Sequence, residues 1–280
     1  MELMRELVED NLTIEDLGRG GYQLLQLKDG FRYGTDTTLL AWFAASFVRG
    51  NSEARILELG AGCGACSTLI CARKANVSVD AVEIMRDSFE VIKKNIDLNE
   101  LSGRMSAHNA DIRELPAEIK AKQYDIVVAN PPFFRREDGT SASEDGGKLR
   151  LNARFEENGS LDDFVRVAAS RVVPSSGYVV MVMRATRAAE LLASFEQNKI
   201  TPIRLMFVHP FADKNASMVL VAGRRGTKAN MMKVLPPLVL SEYRDLGNSS
   251  DSSGKKPQLK PTPTEQLRRI YEEEHTDCFI

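Results

Sequence analysis

A short polar turn follows an apolar run in the middle of the chain, and its residue types suit one kind of chemistry. Asn130, Pro131, Pro132 and Phe133 come directly after the run at 125–129. Two consecutive prolines fix two φ angles and remove two N–H donors, and the first keeps Asn130 extended. The Asn130 side-chain oxygen and the Pro131 carbonyl can accept two hydrogen bonds from a flat group that bears an NH2, while the Phe133 ring covers its face. An ordinary turn after a strand is the alternative, since such tripeptides occur in many loops.

A second candidate site is a glycine-rich turn between a predicted strand and a predicted helix. The turn carries Gly60, Ala61, Gly62 and Gly64, with Glu58 just before it. Glycines at such a turn permit a tight bend and let a ligand approach the backbone, and the helix that follows offers unpaired N–H groups. The spacing Gly-x-Gly-x-Gly is not the Gly-x-Gly-x-x-Gly of dinucleotide-binding proteins.

The next predicted strand, residues 77–83, ends in an acid. A carboxylate at that place, here Glu83, is well positioned to accept hydrogen bonds from ribose hydroxyls. A glycine turn alone is weak evidence. Together with the acid at the end of the second strand and the turn at 130–133, it makes a strong pattern.

Alternating strands and helices must position these residues. The predicted strands are 55–59, 77–83, 104–108, 124–129, 177–183, 202–208 and 216–222, and the main helices between them are 65–74, 86–99, 161–172 and 186–198. The alternation predicts an α/β fold with a doubly wound, mostly parallel, seven-stranded sheet and right-handed crossovers. Ligands of such sheets bind beyond the strand C-termini, and Gly60, Glu83, Asp111 and Asn130 all lie at predicted C-termini.

These motifs resemble those of class I S-adenosylmethionine-dependent methyltransferases. The resemblance is carried by residues 58–64, Glu83, Asp111 and 130–133. The turn is similar to the Asn-Pro-Pro-Tyr/Phe motif of enzymes that methylate a nitrogen conjugated to a flat system. Over residues 12–245 the chain resembles the bacterial tRNA(Val) adenine-N6 methyltransferase family, with further matching stretches at 31–40, 153–155, 159–161 and 236–240.

The resemblance implies a cofactor, a reaction and the residues that serve them. The cofactor is S-adenosylmethionine, and its expected contacts are Thr35, Asp36, Glu58, Gly60, Ala61, Gly62, Gly64, Glu83, Asp111, Ile112 and Asn130. The reaction would be methyl transfer to the N6 of an adenine in tRNA near the anticodon. The catalytic residues would be Asn130, Pro131, Pro132 and Phe133, with no strong general base. For Asp111 the local sequence favours a cap or turn role equally. No metal site is predicted.

The resemblance also organises the chain into three parts. Residues 1–50 would be an N-terminal β-hairpin and helix extension, and 51–246 the methyltransferase catalytic domain. Residues 247–280 would be a flexible linker, rich in Ser, Gly, Lys and Pro, and a C-terminal helix. The long polar stretch at 134–160 is interpreted as a flap that substrate orders.

The bulk composition indicates the cellular environment of the protein. The 280 residues are 43% hydrophobic, but they contain no run of about 18 apolar residues, so no membrane span is expected. The N-terminus is charged, without an apolar signal region, and a reducing cytoplasm is expected. Cys63 and Cys66 have the spacing of a redox or metal motif, but the glycine turn explains their positions.

Charge indicates where a nucleic acid could bind. A net charge of −2 argues against non-specific coating of nucleic acid but leaves room for local basic surfaces. With tRNA as the expected partner, the candidate RNA contacts are Arg135, Arg136, Arg154, Arg224 and Arg225. Solvated surface is the alternative for each of them. The sequence leaves the oligomeric state open.

Three rival functions fit parts of the pattern. Protein glutamine N5-methylation uses the same motif on a planar amide, although such enzymes usually carry a separate N-terminal helical domain. Guanine-N2 methylation of ribosomal RNA is a second rival. A cofactor-binding scaffold without turnover is the third, and the intact Asn130 with both prolines argues against it.

Overall fold

A single large sheet runs through the part of the chain that the structure describes. The structure is a computed structural model that describes residues 11–30, 32–50, 52–132, 159–226, 231–245 and 259–272. The sheet has nine strands, namely β3 (Ala54–Leu59), β4 (Val77–Glu83), β5 (Met105–Asn109), β6 (Ile126–Ala129), β7 (Tyr178–Arg184), β8 (Ile200–His209), β9 (Met218–Arg225), β10 (Lys233–Val234) and β11 (Leu238–Val239).

The strand order confirms the predicted doubly wound α/β fold. The order is β10-β8-β9-β7-β6-β3-β4-β5, and β11 also pairs with β8. The five strands from β5 to β7 are parallel, whereas β9 is antiparallel to both β7 and β8. All seven predicted strands are present. The two-residue strands β10 and β11 extend the sheet because they pair alongside β8.

Helices cover both faces of the sheet. The described α-helices are α1 (Thr35–Ala45), α2 (Ala65–Arg73), α3 (Arg86–Leu98), α4 (Ala117–Lys120), α5 (Leu161–Arg171), α6 (Ala188–Gln197) and α7 (Glu265–Glu272). Helices α1, α2 and α3 contribute to the core on one face, and α4, α5 and α6 to the core on the other. None of the described helices has the length and apolar character needed to cross a membrane.

The central strands read as continuous apolar runs because both faces are buried. In β6, Ile126 and Val128 point into the first core, while Val127 and Ala129 point into the second. This alternation is the two-residue period of a strand, and a parallel sheet covered on both sides removes the need for polar positions.

An N-terminal β-hairpin packs outside the sheet, as predicted. Its strands are β1 (Leu12–Asp16) and β2 (Gln23–Leu27), paired antiparallel. The free edge of β2 meets Asn95 of α3 and Asn99, the residue that follows the helix one turn later. Asn95 Oδ1 accepts from the Leu25 N–H at 2.7 Å and its Nδ2 donates to the Leu25 carbonyl at 3.0 Å. Asn99 makes the same pair of bonds with Gln23, so α3 occupies the edge as a neighbouring strand would.

The C-terminal part of the chain differs from the predicted linker. Residues 259–263 form strand β13 (Leu259–Pro263), which pairs antiparallel with β12 (Ser241–Asp245). The predicted C-terminal helix is present as α7, and its Ile270 is buried in the first core. Two buried arginines donate to the Ile270 carbonyl: Arg19 at 3.4 Å and Arg73 at 2.7 Å. These bonds tie α7 to the hairpin turn and to the C-terminus of α2.

Candidate active site

Strand register brings the predicted site residues to one edge of the sheet. Leu59 pairs with Ala129, so Gly60 and Asn130 follow neighbouring positions on adjacent strands. Glu83 pairs with Asn109, so Asp111 lies just beyond the same edge. The predicted common edge is therefore present, at the C-terminal ends of β3, β4, β5 and β6.

The Asn130 side chain is held in one orientation by the N-terminus of α1. Its Nδ2 donates to Asp36 Oδ2 at 3.0 Å and reaches Thr37 Oγ1 at 3.5 Å. A carboxylate only accepts hydrogen bonds, so it fixes which end of the carboxamide faces it. The Asn130 Oδ1 has no hydrogen-bond donor among the described residues. Asp36, predicted as a cofactor contact, thus also positions the predicted catalytic amide.

A buried arginine supports the proline turn. Arg187 lies in a single 3-10 turn (Ala185–Arg187) after β7 and donates from Nη1 to the Pro132 carbonyl at 3.3 Å. Glu190 holds the same guanidinium with two hydrogen bonds of 2.8 and 2.7 Å. Sequence reasoning missed Arg187. The sequence feature that could have pointed to it is an Arg and a Glu three residues apart, just after a predicted strand.

The glycine turn wraps around the carboxylate of Glu83. Gly60, Gly62 and Gly64 have φ values of 68°, 57° and 81°, which side-chain-bearing residues adopt at a cost. Glu83 Oε2 accepts from the Gly62 N–H and Oε1 from the Met85 N–H, both at 2.7 Å. A Cβ added at Gly62 would meet no atom within 4 Å, so the backbone there is open to a ligand.

Two further contacts fix the acid at the end of β4. Asn109 Nδ2 donates to the carbonyls of Glu83 and Ile84 at 2.9 and 3.0 Å. Burial raises the pKa of the Glu83 carboxyl above its ordinary value, although its backbone hydrogen bonds oppose the shift. Each carboxylate oxygen keeps a lone pair beyond its backbone partner, so Glu83 can still accept from hydroxyl groups.

Glu58 joins the strand before the glycine turn to the helix after it. Its Oε2 accepts from both the backbone N–H and the hydroxyl of Ser67, in the first turn of α2. Burial raises the pKa of Glu58 to about 8, and the nearby charge of Glu83 adds to that rise. The side chain therefore helps to set the shape of the turn, whichever contacts it makes with a ligand.

Asp111 caps the short 3-10 turn Ile112–Glu114, which was the alternative role for it. Its Oδ1 accepts from the Arg113 N–H at 2.8 Å, and the Arg113 side chain bonds both carboxylate oxygens. These bonds lower the pKa of Asp111. A ligand amino group would therefore share the Asp111 carboxylate with Arg113. The neighbouring Ile112 side chain is buried in the second core.

The remaining predicted residues fall into three groups. Thr35 begins α1, at the side of the glycine turn where Asp36 meets Asn130. Phe133, Arg135, Arg136, Arg154 and nearly all of the predicted flap at 134–160 lie outside the described residues. Arg224 and Arg225 end β9 next to the start of β7, so they lie at the opposite edge of the sheet from Asn130.

The cysteines of the glycine turn are poorly suited to redox chemistry. Burial raises the pKa of Cys63 to about 12 and that of Cys66 well above its ordinary value. Because the thiolate is the reactive form, a raised pKa leaves little of it at neutral pH. The described residues also contain no group of three or more His, Cys, Asp or Glu side chains arranged to hold a metal ion.

The edge as a whole suits a cationic ligand with a nucleoside part. Asp36, Glu58 and Glu83 place three carboxyl groups around the glycine turn. S-adenosylmethionine carries a sulfonium, an ammonium and two ribose hydroxyls, which these acceptors match. The open backbone at Gly62 offers space for close approach.

Comparisons with known proteins agree with this geometry. A family model described as Methyltransferase small domain matches residues 34–145. The tRNA1(Val) (adenine(37)-N6)-methyltransferase of Trichodesmium erythraeum is 30% identical over 188 residues, which cover 64% of this chain and 74% of that protein. The protein of the same name from Flavobacterium johnsoniae is 26% identical over 184 residues, which cover 66% and 74%.

A solved structure shows the same fold. The crystal structure of a predicted O-methyltransferase from Agrobacterium tumefaciens matches with a TM-score of 0.60 at 20% identity, over 85% of this chain and 95% of that one. The fold is shared by many methyltransferases, whereas the two curated relatives point to one family among them. By its identity to the Trichodesmium protein and the share of that protein it covers, this methyltransferase belongs to the tRNA1(Val) (adenine(37)-N6)-methyltransferase family.

Proposed function

We propose that this methyltransferase transfers a methyl group from S-adenosylmethionine to the exocyclic N6 of an adenine in tRNA. The observation that carries the proposal is the Asn130 carboxamide. Asp36 fixes its Nδ2 at 3.0 Å, which leaves Oδ1 as an acceptor beside the glycine turn. The names of the curated relatives support an adenine of tRNA as the substrate.

The glycine turn and its neighbours would hold the cofactor. When bound, S-adenosylmethionine supplies an electrophilic methyl group on a positively charged sulfur. Glu83 would accept from the ribose hydroxyls, while Gly60 and Gly62 would let the backbone approach the methionine and ribose. Thr35 and Asp36 would lie at the methionine end. The Asp36 carboxylate would offset part of the positive charge of this ligand.

Asn130 and Pro131 would hold the amino group that receives the methyl. The lone pair of an adenine amino nitrogen is delocalised into the ring, so the neutral amine is a weak nucleophile. Hydrogen bonds from its two protons to Asn130 Oδ1 and the Pro131 carbonyl favour a pyramidal nitrogen. These bonds strengthen as positive charge develops on that nitrogen, so they stabilise the transition state more than the ground state. The methylated, ammonium-like nitrogen is acidic and would lose its extra proton to water.

The rest of the turn keeps this geometry rigid. Pro131 and Pro132 restrict the backbone, and Arg187 fixes the Pro132 carbonyl at 3.3 Å. An adenine within RNA reaches such a turn only when it is unstacked, which favours a base in a loop. Phe133 is predicted to stack on that base, at about 1–3 kcal/mol.

The test is methyl transfer to separated substrate classes. Wild-type protein is incubated with labelled S-adenosylmethionine and with tRNA, ribosomal RNA or protein, and the products are digested and identified by mass. We expect the label in tRNA as N6-methyladenosine.

Asn130→Ala should lower kcat by about 100- to 1000-fold, because one oriented acceptor is lost. The cofactor should still bind, with a Kd that changes much less than kcat. Asn215→Ala, at an exposed position, is the matched control.

Each rival predicts a different product. Methylguanosine in ribosomal RNA or methylglutamine in protein would show that the proposed substrate is wrong. The proposed role of the catalytic turn would be kept. Cofactor binding without transfer to any fraction would favour the scaffold. Retained turnover in Asn130→Ala would remove Asn130 from its proposed role.

A further inference from the structure

Three arginines and two aromatic rings meet at the end of α1 that lies away from the glycine turn. The Arg204 Cζ lies 5.2 Å from the Phe47 ring centre, and the Arg224 Cζ lies 4.2 Å from that of Tyr178. The two rings are themselves 4.4 Å apart. Arg49 Nη2 and Arg224 Nη2 both donate to the Tyr178 hydroxyl, Arg49 at 3.4 Å. Arg49, Arg204 and Arg224 are called the arginine cluster below.

The positive charge of the cluster is not neutralised within the described structure. None of the three guanidinium groups has a salt bridge to a described carboxylate, and the buried Arg224 Nε has no hydrogen-bond partner there. Lys233 adds a further exposed cation, since β10 places it opposite Arg204. The nearby Asp125 carboxylate turns to the Arg55 backbone N–H on β3 instead. Arginine stays protonated at any physiological pH, so the like charges persist.

The surroundings of Tyr178 report the same local field. Burial raises the pKa of its hydroxyl, but the hydrogen bonds and charges of Arg49 and Arg224 outweigh burial and lower that pKa below its ordinary value. A partly buried phenol whose pKa falls lies in a strongly positive environment. An anion brought to this surface would meet the same field.

We propose that the arginine cluster binds backbone phosphates of the tRNA whose adenine enters the active site. The inference rests on the proposed function for the identity of the RNA. Guanidinium groups stacked on aromatic rings keep their N–H edges for other partners, and those edges match phosphate oxygens in pairs. Arg49 is exposed, and Arg204 and Arg224 are partly exposed.

The position of the cluster fits an RNA that already occupies the active site. Helix α1 connects the two places, with Asp36 at Asn130 and the chain just beyond its other end at Phe47. Eleven residues of helix cover about 16 Å. At about 3.4 Å per nucleotide along a stacked strand, that distance is roughly five nucleotides. One stem-loop can therefore place a base in the site and phosphates near the cluster.

Binding measured apart from catalysis tests the proposal. Arg49→Gln and Arg204→Gln are made in the Asn130→Ala background, and the Kd for tRNA is measured at several salt concentrations. Each should weaken binding about tenfold, as expected for a lost charge-assisted hydrogen bond. Each should also reduce the slope of log Kd against log salt by about 0.7–0.9. The cofactor Kd and the melting temperature should stay at the parent values.

A matched arginine separates the cluster from total charge. Arg166 is exposed on α5 and already pairs with Asp163. Arg166→Gln should leave the Kd for tRNA within about twofold. Equal weakening by Arg166→Gln, or an unchanged salt slope in both cluster variants, would overturn the proposal.

The same experiment distinguishes the two proposals. If wild-type protein methylates tRNA and the cluster variants bind it normally, the cluster proposal fails and the function stands. If tRNA binding depends on the cluster but no RNA fraction is methylated, the function fails and the cluster remains an RNA-binding surface.

Discussion

Glu58 and Glu83 end adjacent strands, and their partners make them act differently. Glu83 accepts from backbone N–H groups at the open glycine turn, whereas Glu58 accepts from Ser67 inside the fold. Burial raises the pKa of both carboxyls, and for Glu58 the value is about 8. A carboxyl with that pKa holds its proton across part of the neutral range. The charge of Glu58 therefore changes with pH close to neutrality.

The stability of the cofactor-free protein should consequently depend on pH through Glu58. The folded protein binds this proton more tightly than the unfolded chain, whose carboxyl has a pKa near 4.5. The contribution to the free energy of unfolding is fully present below pH 4.5 and is lost as the pH rises through about 8. Glu58→Gln keeps an acceptor for Ser67 without a titrating charge. We expect its melting temperature to fall less than that of wild type between about pH 6 and about pH 9.

Thermal unfolding over a pH series, without cofactor, measures this difference. Comparing the variant with wild type removes the contributions of other titrating groups. Parallel curves for the two proteins would mean that Glu58 is already ionised in the folded state at neutral pH.

At the residue scale, the sequence predicted which residues lie at the site better than it predicted their hydrogen-bond partners. Glycines, an acid after a strand and Asn-Pro-Pro are local patterns, so their places at one edge could be predicted. The partner of Asn130 is Asp36, 94 residues earlier, and that of Pro132 is Arg187, 55 residues later. Such contacts depend on how distant elements pack, which no local pattern encodes. The roles of the site residues remain predictions.

Among the elements, α3 has a double function. The helix packs against the sheet, and it also supplies Asn95, and Asn99 just beyond its end, to the edge of β2. Asn95 Nδ2 also donates to the Cys63 carbonyl at 2.9 Å, inside the glycine turn. A single side chain therefore joins the hairpin, the helix and the turn.

Replacing Asn95 should destabilise the fold far more than replacing a neighbour. Asn95→Ala leaves the buried Leu25 N–H and carbonyl without partners, which should lower the free energy of unfolding by about 2–4 kcal/mol. Asp97→Ala, at an exposed position of the same helix, should change it by less than about 0.5 kcal/mol. Urea unfolding measures both. Equal stability of the two variants would mean that water or the backbone replaces the Asn95 contacts.

Periodicity and composition predicted most elements, and they misled where pairing is non-local. The apolar strands ended within about three residues of their predicted places because burial on both faces leaves a plain signal. Strand β13 was predicted as linker because its Lys and Pro residues are typical of loops. Its order comes from pairing with β12 across a segment that lies outside the described residues.

At the scale of the whole molecule, α7 joins parts of the described chain that are far apart in sequence. Arg19 from the hairpin turn and Arg73 from the end of α2 share the Ile270 carbonyl, and the Ile270 side chain fills the core beneath them. Burial, together with the nearby charge of Arg19, lowers the pKa of the Arg73 guanidinium to about 9. Without α7, these buried cations would lose an acceptor that they share.

Shortening the Ile270 side chain should therefore weaken the whole fold. Ile270→Ala removes buried apolar volume and loosens the helix that carries the shared carbonyl, so we expect a loss of about 2–5 kcal/mol in the free energy of unfolding. Tyr271→Ala, at the exposed neighbouring position, should cost less than about 1 kcal/mol. Guanidinium unfolding of both variants measures this. A small effect of Ile270→Ala would show that α7 is peripheral to stability.

The shared carbonyl also sets an order of events during synthesis. A ribosome releases the hairpin and α2 long before it reaches residue 270, because 251 residues separate Arg19 from Ile270. Until then, two guanidinium groups that the finished fold buries must stay hydrated at the surface of the nascent chain. The contacts of α7 have to wait until residues 265–272 emerge, so they form after the hairpin and α2 that they join have been synthesised.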